Sequence, residues 1–571
     1  MQLLNKNFEI DSKPFYFTIC VIVLVFLSLV VAQAHKKFVL DEIDFPIVSK
    51  EVSVTWTPIY YRGEASPSHI GLYHPPLYIY LLATFIKIFG FTETTVRMFG
   101  AICSLVSAFL VFMIFRTLFT KKKHRYFELI FLGLFLFHPY TVANATLPDI
   151  DSTVLPVMIL LYLYFLVYFY KYNWSRFKRS QPGVFLKKSL FQNISLAVIF
   201  ALCLWTKITT PLVLPFASVL ILKALGLDWK KAILSATLVS VLGAVLFLST
   251  YFAFCSIQEL PFTYTFKFLV ASFSKGTQSD SVSRVHLIVQ NLKYFPQFAN
   301  WLTLPYIIAF FVSCVFLFKR KMSSAYTIAG ILALIGLMLM MFYLGLISPF
   351  GGYFKYPFAG FALLIIPIAL FISDSLRPIK IVHVLAILIA SAIFAGFQIS
   401  NQPDISIRES QPLSMLTLLL AGSISILLFK ISFKKYGNSL KSILLVIMVG
   451  VSVGISREQA LAPYPTKYYY GQSGLNETVE YLRVVTEEDE IIWSMKDVGY
   501  YVNNKYIENY QYLPDSNSLY SLLQEQSVRY FVMTRGIGED QVEAYPEHYQ
   551  ILQEYATLEN EFGNFLIFRA N

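Results

Sequence analysis

Residues 75–119 read PPLYIYLLATFIKIFGFTETTVRMFGAICSLVSAFLVFMIFRTLF, and the number of membrane crossings in this stretch decides how every later segment is oriented. Its second part, Val96–Phe119, is long and apolar enough to cross a ~30 Å hydrocarbon layer. Its first part, Pro75–Gly90, is apolar but short, and it carries Lys87. Counted as a span, that first part would invert all that follows and place Lys121, Lys122 and Lys123 outside. Basic loops stay in the cytoplasm, so parity argues against this. The stretch is expected to lie along the outer interface as an amphipathic helix, started by Pro76 and stopped by Gly90.

The rest of the chain agrees with a membrane setting. Of 571 residues, 56% are hydrophobic and 14% charged, where a soluble domain carries roughly 25% charged residues. Apolar stretches recur from Phe15 to Ile455, and the first of them, Phe15–Ala34, lacks a signal-peptide cleavage pattern. Basic loops at Arg116–Arg125, Lys171–Lys188, Trp229–Lys231, Lys319–Lys321, Arg377–Lys380 and Lys430–Lys441 alternate with pairs of apolar stretches. With every such loop inside, the chain makes about 13 crossings, its N-terminus cytoplasmic and its C-terminal segment outside the plasma membrane. Two outer loops are long, His35–Thr95 and Cys255–Asn300. The five cysteines stand singly in or beside apolar segments and form no metal or disulfide spacing.

The net charge of +11 conceals a division. Residues 457–571 hold 18 Asp+Glu against 8 Lys+Arg, which leaves 17 acids against 38 bases in residues 1–456. Bases confined to short loops are topology signals and not a nucleic-acid face. The expected architecture is an α-helical polytopic membrane domain, 1–456, followed by a small α/β domain, 457–571. In the latter, Leu475, Val479, Leu482 and Val485 keep a helical period, and Ser518–Gln526 reads as a second helix. Glu490–Met495, Arg529–Thr534 and Asn564–Phe568 read as strands.

Acids are scarce in the membrane part, so their positions carry information. Asp41, Glu42 and Asp44 follow the first span, and Asp149 and Asp151 stand in LPDIDSTVLP at a second outer turn. Carboxylates beside a low-dielectric layer are costly to keep without a partner or a role. Three bases fall at the same depth: Lys207 in LWTKITTP, Lys355 in GGYFKYPF and Arg97 in TVRMFG. Lys207 and Lys355, set among Thr, Pro and aromatics, have the character of phosphate contacts. Arg97 reads equally as a snorkelling cation. His74, in YHPPLY, is a weaker candidate, because a lone interfacial histidine is more often structural.

The succession YHPPLYIYLLATFIKIFG, TVRMFGAICSL, LPDIDSTVLP, WTKITTPLVLP and GGYFKYPFAGFALL resembles the GT-C membrane glycosyltransferases. Within them it resembles the protein O-mannosyltransferase and aminoarabinose transferase type, the family 39-like group. The resemblance implies a polyprenyl- or dolichyl-phosphate sugar as donor and a glycan, lipid or protein as acceptor, on the non-cytoplasmic side of the bilayer. It assigns the catalytic base to Asp41, with Glu42 beside it, and a second acid to Asp149 or Asp151. It places donor-phosphate contacts at Lys207 and at Lys355–Tyr356, where the family more often has Arg-Tyr.

A carboxylate base and one or two cations suffice for inverting transfer from a phosphate leaving group, so no cofactor is required. Two carboxylates alone make a poor hard-cation site, which favours metal independence. The competing class is a transporter or flippase of a lipid-linked sugar precursor. That class needs polar residues and broken helices near the midplane, whereas here the charges crowd the outer ends. An oligosaccharyltransferase would need a larger tail and a Trp-Trp-Asp-Tyr-Gly motif.

Overall fold

The structure is a computed structural model. It describes residues 12–34, 41–58, 70–119, 125–172, 182–275, 324–342, 358–375, 474–487, 490–502, 516–525 and 541–571, with shorter pieces between, among them Phe38, Lys355–Tyr356 and 528–535. The basic segments Lys319–Lys321, Arg377–Lys380 and Lys430–Lys441, the second half of the loop Cys255–Asn300 and the expected spans between 376 and 455 lie outside the described residues. So does part of the count of about 13 crossings. The chain divides into two compact units, one of 1–35 with 94–461 and another of 36–93 with 462–571.

The first unit is helical. Its elements are α1 (Ser12–Ala34), then, beyond the intervening segment that holds α2 (Asp41–Thr55) and α3 (Leu77–Phe89), α4 (Glu93–Leu118), α5 (Arg125–Leu136) and α6 (Pro139–Ala145). After these come α7 (Val154–Tyr172), α8 (Pro182–Thr206), α9 (Leu214–Ala224), α10 (Trp229–Ile257), α11 (Tyr264–Lys275), α12 (Ser324–Phe342) and α13 (Phe358–Ser375). Among the described residues, three helices are long and apolar enough to cross a membrane: Glu93–Leu118, Val154–Lys171 and Trp229–Ile257. The third leaves Val241, Val245, Leu248, Phe252 and Ile257 exposed. An apolar face of that length fits acyl chains and not water.

The helix ends opposite the acidic turn are tied by basic side chains. Arg116, in the last turn of α4, holds Glu128 of α5 through Nε at 2.7 Å and Nη2 at 2.8 Å. Lys171, in the last turn of α7, donates to the terminal carbonyls of Thr117 and Leu118, which α4 cannot satisfy internally. At the next basic turn, Asp228 caps α10 by accepting from the Lys231 N–H at 2.9 Å.

In the second unit, α3 packs on α2. It starts after Pro76 and ends at Gly90, whose φ of +83° suits a residue without Cβ. Both ends agree with the reading of Pro75–Gly90, and Tyr78, Ile79, Leu82, Ala83 and Ile86 form its buried face.

Residues 474–571 build a five-stranded mixed sheet of order β2-β1-β3-β5-β4. Its strands are β1 (Ile491–Ser494), β2 (Lys505–Glu508), β3 (Tyr530–Thr534), β4 (Ala556–Phe562) and β5 (Phe565–Ala570). The helices are α14 (Leu475–Val485), α15 (Lys496–Val502), α16 (Ser516–Gln524), α17 (Gln541–Ala544) and α18 (Pro546–Tyr555). Strand residues alternate between two cores. Ile492, Tyr530, Val532, Phe565 and Ile567 pack with Leu475, Val479 and Leu482 of α14. Trp493, Phe531, Met533, Leu566 and Phe568 pack with Leu519 and Leu523 of α16 and Leu552 of α18. A period of two with both sets buried gives a sheet covered on both faces.

Two strands escape sequence reading: β2 is four residues long, and β4, ATLENEF, is an edge with mostly polar side chains. The grouping of 36–93 with the tail also departs from a division of the chain at 456. The Phe531 ring is fully buried between β1 and α16, so Phe531→Ala is expected to cost about 3–5 kcal/mol. Leu558→Ala, on the exposed edge, is expected to stay within about 0.5 kcal/mol. Thermal unfolding of the full-length protein in detergent measures both.

Candidate functional site

The turn between α6 and α7 carries the LPDIDSTVLP motif, and its shape is set locally. His138 caps α6 by accepting the Tyr140 N–H at Nδ1, with Pro139 at the first helical position. Beyond α6 the chain folds back on itself. The Asp149 carboxylate accepts the Asp151 N–H at 2.9 Å, and the Asp149 carbonyl accepts the Thr153 hydroxyl at 2.6 Å. The Ser152 hydroxyl donates to Asn144 Oδ1 at 3.0 Å, closing the turn against α6.

α4 holds this turn from the side. The buried Arg97 donates through Nη1 to the carbonyl of Thr146, the residue that ends α6. One helical turn later stands Gly100, where a Cβ would lie 2.3 Å from the Ala145 carbonyl oxygen. Arg97 and Gly100 share one helix face, so the Arg-x-x-Gly spacing is what lets α4 approach the end of α6 and cap it. Arg97, expected as a snorkelling cation or a donor-phosphate contact, is buried, and its Nη1 is directed at a carbonyl of the acidic turn.

Both acids of the turn are paired. The Lys207 ammonium, one residue past α8, lies 2.8 and 2.7 Å from the two oxygens of Asp151. The Lys355 ammonium, three residues before α13, lies 2.6 Å from Asp149 Oδ2. All four side chains are buried. The Tyr356 ring joins the pairs, 4.6 Å from the Lys207 ammonium and 5.7 Å from that of Lys355, within cation–π range.

Burial pushes the Asp151 carboxyl above the ordinary carboxylate range; Lys207 pulls it back, and the like charge of Asp149 pushes it further. The direction left by these opposing effects is upward, with burial the largest cause. Burial also pushes the Tyr356 phenol up, so it stays a neutral hydroxyl. Two carboxylates and two ammonium groups leave the cluster formally neutral, with both lysines fixed in place.

Of the other sequence candidates, Asp41 opens α2 and Glu42 follows it, half-buried, while His74 stands half-buried in the turn before α3. These three belong to the second unit, and Asp149, Asp151, Lys207, Lys355, Tyr356 and Arg97 to the first. Sequence reading found the four charged residues of the cluster but not their pairing, because partners lie 56 and 206 residues apart.

Residues 73–256 match the family described as dolichyl-phosphate-mannose-protein mannosyltransferase. No curated protein matches the chain in sequence. Among solved structures, ArnT from Cupriavidus metallidurans, bound to undecaprenyl phosphate, superposes over 98% of both chains with a TM-score of 0.54 at 13% identity. The same enzyme in its apo state gives the same values. The Archaeoglobus fulgidus oligosaccharyltransferase covers 94% of this chain and 71% of its own, with a TM-score of 0.46 at 11% identity.

Breaking a buried ion pair from one side strands a charge. Lys207→Met is therefore expected to cost about 3–5 kcal/mol, and the double change Asp151→Leu with Lys207→Met to recover most of it. Thermal unfolding of the single and double variants checks this. The chain resembles the GT-C membrane glycosyltransferases, in sequence over residues 73–256 and in fold over almost its whole length.

Proposed function

We propose that the protein is a membrane glycosyltransferase that moves a sugar from a polyprenyl-phosphate donor to an acceptor hydroxyl on the non-cytoplasmic face of the plasma membrane. The observation that carries this reading is the buried cluster of Lys207, Lys355 and Tyr356 with Asp149 and Asp151. It is assembled from the motifs that mark the family resemblance. ArnT, whose fold is similar, has been seen with undecaprenyl phosphate, and a lipid phosphate is the ligand that two fixed ammonium groups suit.

The chemistry is an inverting displacement. The acceptor oxygen forms a bond to the anomeric carbon, and the bond from that carbon to the donor's phosphate oxygen breaks. The lipid phosphate leaves with the electron pair, and the acceptor proton passes to a carboxylate. The developing negative charge falls on the phosphate, so pre-positioned cations stabilise the transition state without delivering a proton. An ammonium has three donors, so a carboxylate partner does not exhaust it. Lys207 and Lys355 hold the phosphate in this scheme, and the Tyr356 hydroxyl donates to it.

Asp149 and Asp151 then have a different task from the base. In this scheme each carboxylate, bound to an ammonium at 2.6–2.8 Å, orients that ammonium. The base is Asp41, by the family resemblance, with Glu42 as its neighbour. The same pairing disfavours a metal at Asp149-x-Asp151, since both carboxylates already hold cations.

The test is release of lipid phosphate from radiolabelled polyprenyl-phosphate sugars by purified protein, with EDTA present. The reading predicts release that depends on an added acceptor, survives EDTA and falls at least ~10³-fold in Asp41→Asn. Release that continues undiminished in Asp41→Asn would move the base elsewhere. Movement of labelled lipid across a liposome bilayer, with no release from any donor, would replace the transferase with a flippase.

A further inference from the structure

The second unit joins two parts of the chain that are far apart in sequence, residues 36–93 and 462–571. The former runs from the end of α1 to the start of α4 and contains Asp41, Glu42 and His74. One side chain of the tail meets both of its ends. The Tyr501 hydroxyl, near the end of α15, accepts the Phe38 N–H at 2.5 Å and donates to Glu93 Oε1 at 3.2 Å. Phe38 lies three residues before Asp41, and Glu93 is the first residue of α4.

The contact is held from both sides. In the tail, Arg483 of α14 donates through Nε at 3.0 Å, and also through Nη2, to the Tyr501 carbonyl. The Tyr500 ring packs edge-on against that of Tyr501 at 4.9 Å. In the other part, the Phe38 ring packs at 6.5 Å from Phe91, over which the Lys50 ammonium of α2 sits at 5.1 Å. Phe38 is fully buried, so its N–H depends on a partner. Burial, with the nearby Glu93 carboxylate, pushes the Tyr501 phenol well above its usual range, so it remains a donor.

α2 has a specific need for such an anchor. Pro46 lies inside it and supplies no N–H to the carbonyl of Glu42, four residues back. The first turn, which carries Asp41 and Glu42, therefore lacks one of the bonds that would fix its direction from within. An external hold just before that turn takes over the task.

We propose that Tyr501 is a positioning residue for transfer: its hydroxyl clasps the two ends of the 36–93 segment and thereby fixes the turn that presents Asp41. The proposal rests on Asp41 being the base. It gives the C-terminal part of the chain a direct task in catalysis. No contact between Tyr501 and substrate is required.

The experiment uses the full-length protein and two readouts. In Tyr501→Phe, hydrogen exchange at the Phe38 amide is expected to speed up at least ~10-fold, because its acceptor is gone. In the same variant kcat is expected to fall about 10-fold or more, with the donor KM within about two-fold, the signature of a misplaced base and not of lost donor binding. Glu93→Gln, which keeps an acceptor oxygen, should give a smaller drop in kcat than Glu93→Ala. If Tyr501→Phe fails to fold, this Glu93 pair decides.

Unchanged exchange at Phe38 would overturn the clasp. Faster exchange with wild-type kcat would show a clasp without a catalytic task, and a loss carried by donor KM would equally contradict positioning. If the wild-type protein transfers no sugar, the reading of function fails by itself, and the exchange measurement still decides whether the clasp exists.

Discussion

Placing two ammonium groups in a buried turn is expensive, and the first unit meets that cost with two carboxylates. A single buried charge costs several kcal/mol even after relaxation. The pairs Asp151–Lys207 and Asp149–Lys355 reduce that cost only because their geometry is close, at 2.6–2.8 Å. Much of the surrounding structure follows from that requirement. The folded-back turn aims both carboxylates, Arg97 and Gly100 bring α4 against the end of α6, and the ends of α8 and α13 deliver the lysines. Tyr356 fills the space between them with a ring whose face tolerates a cation.

This constraint separates two kinds of acid that look alike in sequence. Asp149 and Asp151 are bound to lysines. Asp41 and Glu42 open a helix in the other unit, whose first turn is weakened by Pro46. In the proposed reaction, fixed cations take the leaving phosphate and a separate carboxylate takes the proton.

Much of this was legible in the sequence. Apolar length and basic loops announced a membrane protein, and Pro76 and Gly90 bounded α3 correctly. The strands at 491–494, 530–534 and 565–570 lie where hydrophobic runs placed them. The short β2 and the polar edge β4 lacked a periodic signal. Charges at the turns were visible as single residues, but pairing is a property of the fold. Nothing local links Asp149 to Lys355, or Tyr501 to Phe38, 463 residues away. Arg97 is a further case: its residue type suggested an anion, and the fold also brings it to a helix-terminal carbonyl, that of Thr146. The one available clue was the three-residue step to Gly100, which puts both on one face.

The central claim is that the paired lysines receive the donor's phosphate. Its most direct test is binding of a polyprenyl phosphate without sugar to purified wild-type protein and to Lys355→Ala, by calorimetry or ³¹P resonance. The account predicts binding to the wild type and an affinity at least ~10-fold weaker in Lys355→Ala, about 1.4 kcal/mol. Equal affinity in the two proteins would contradict it and leave the cluster as a structural device alone.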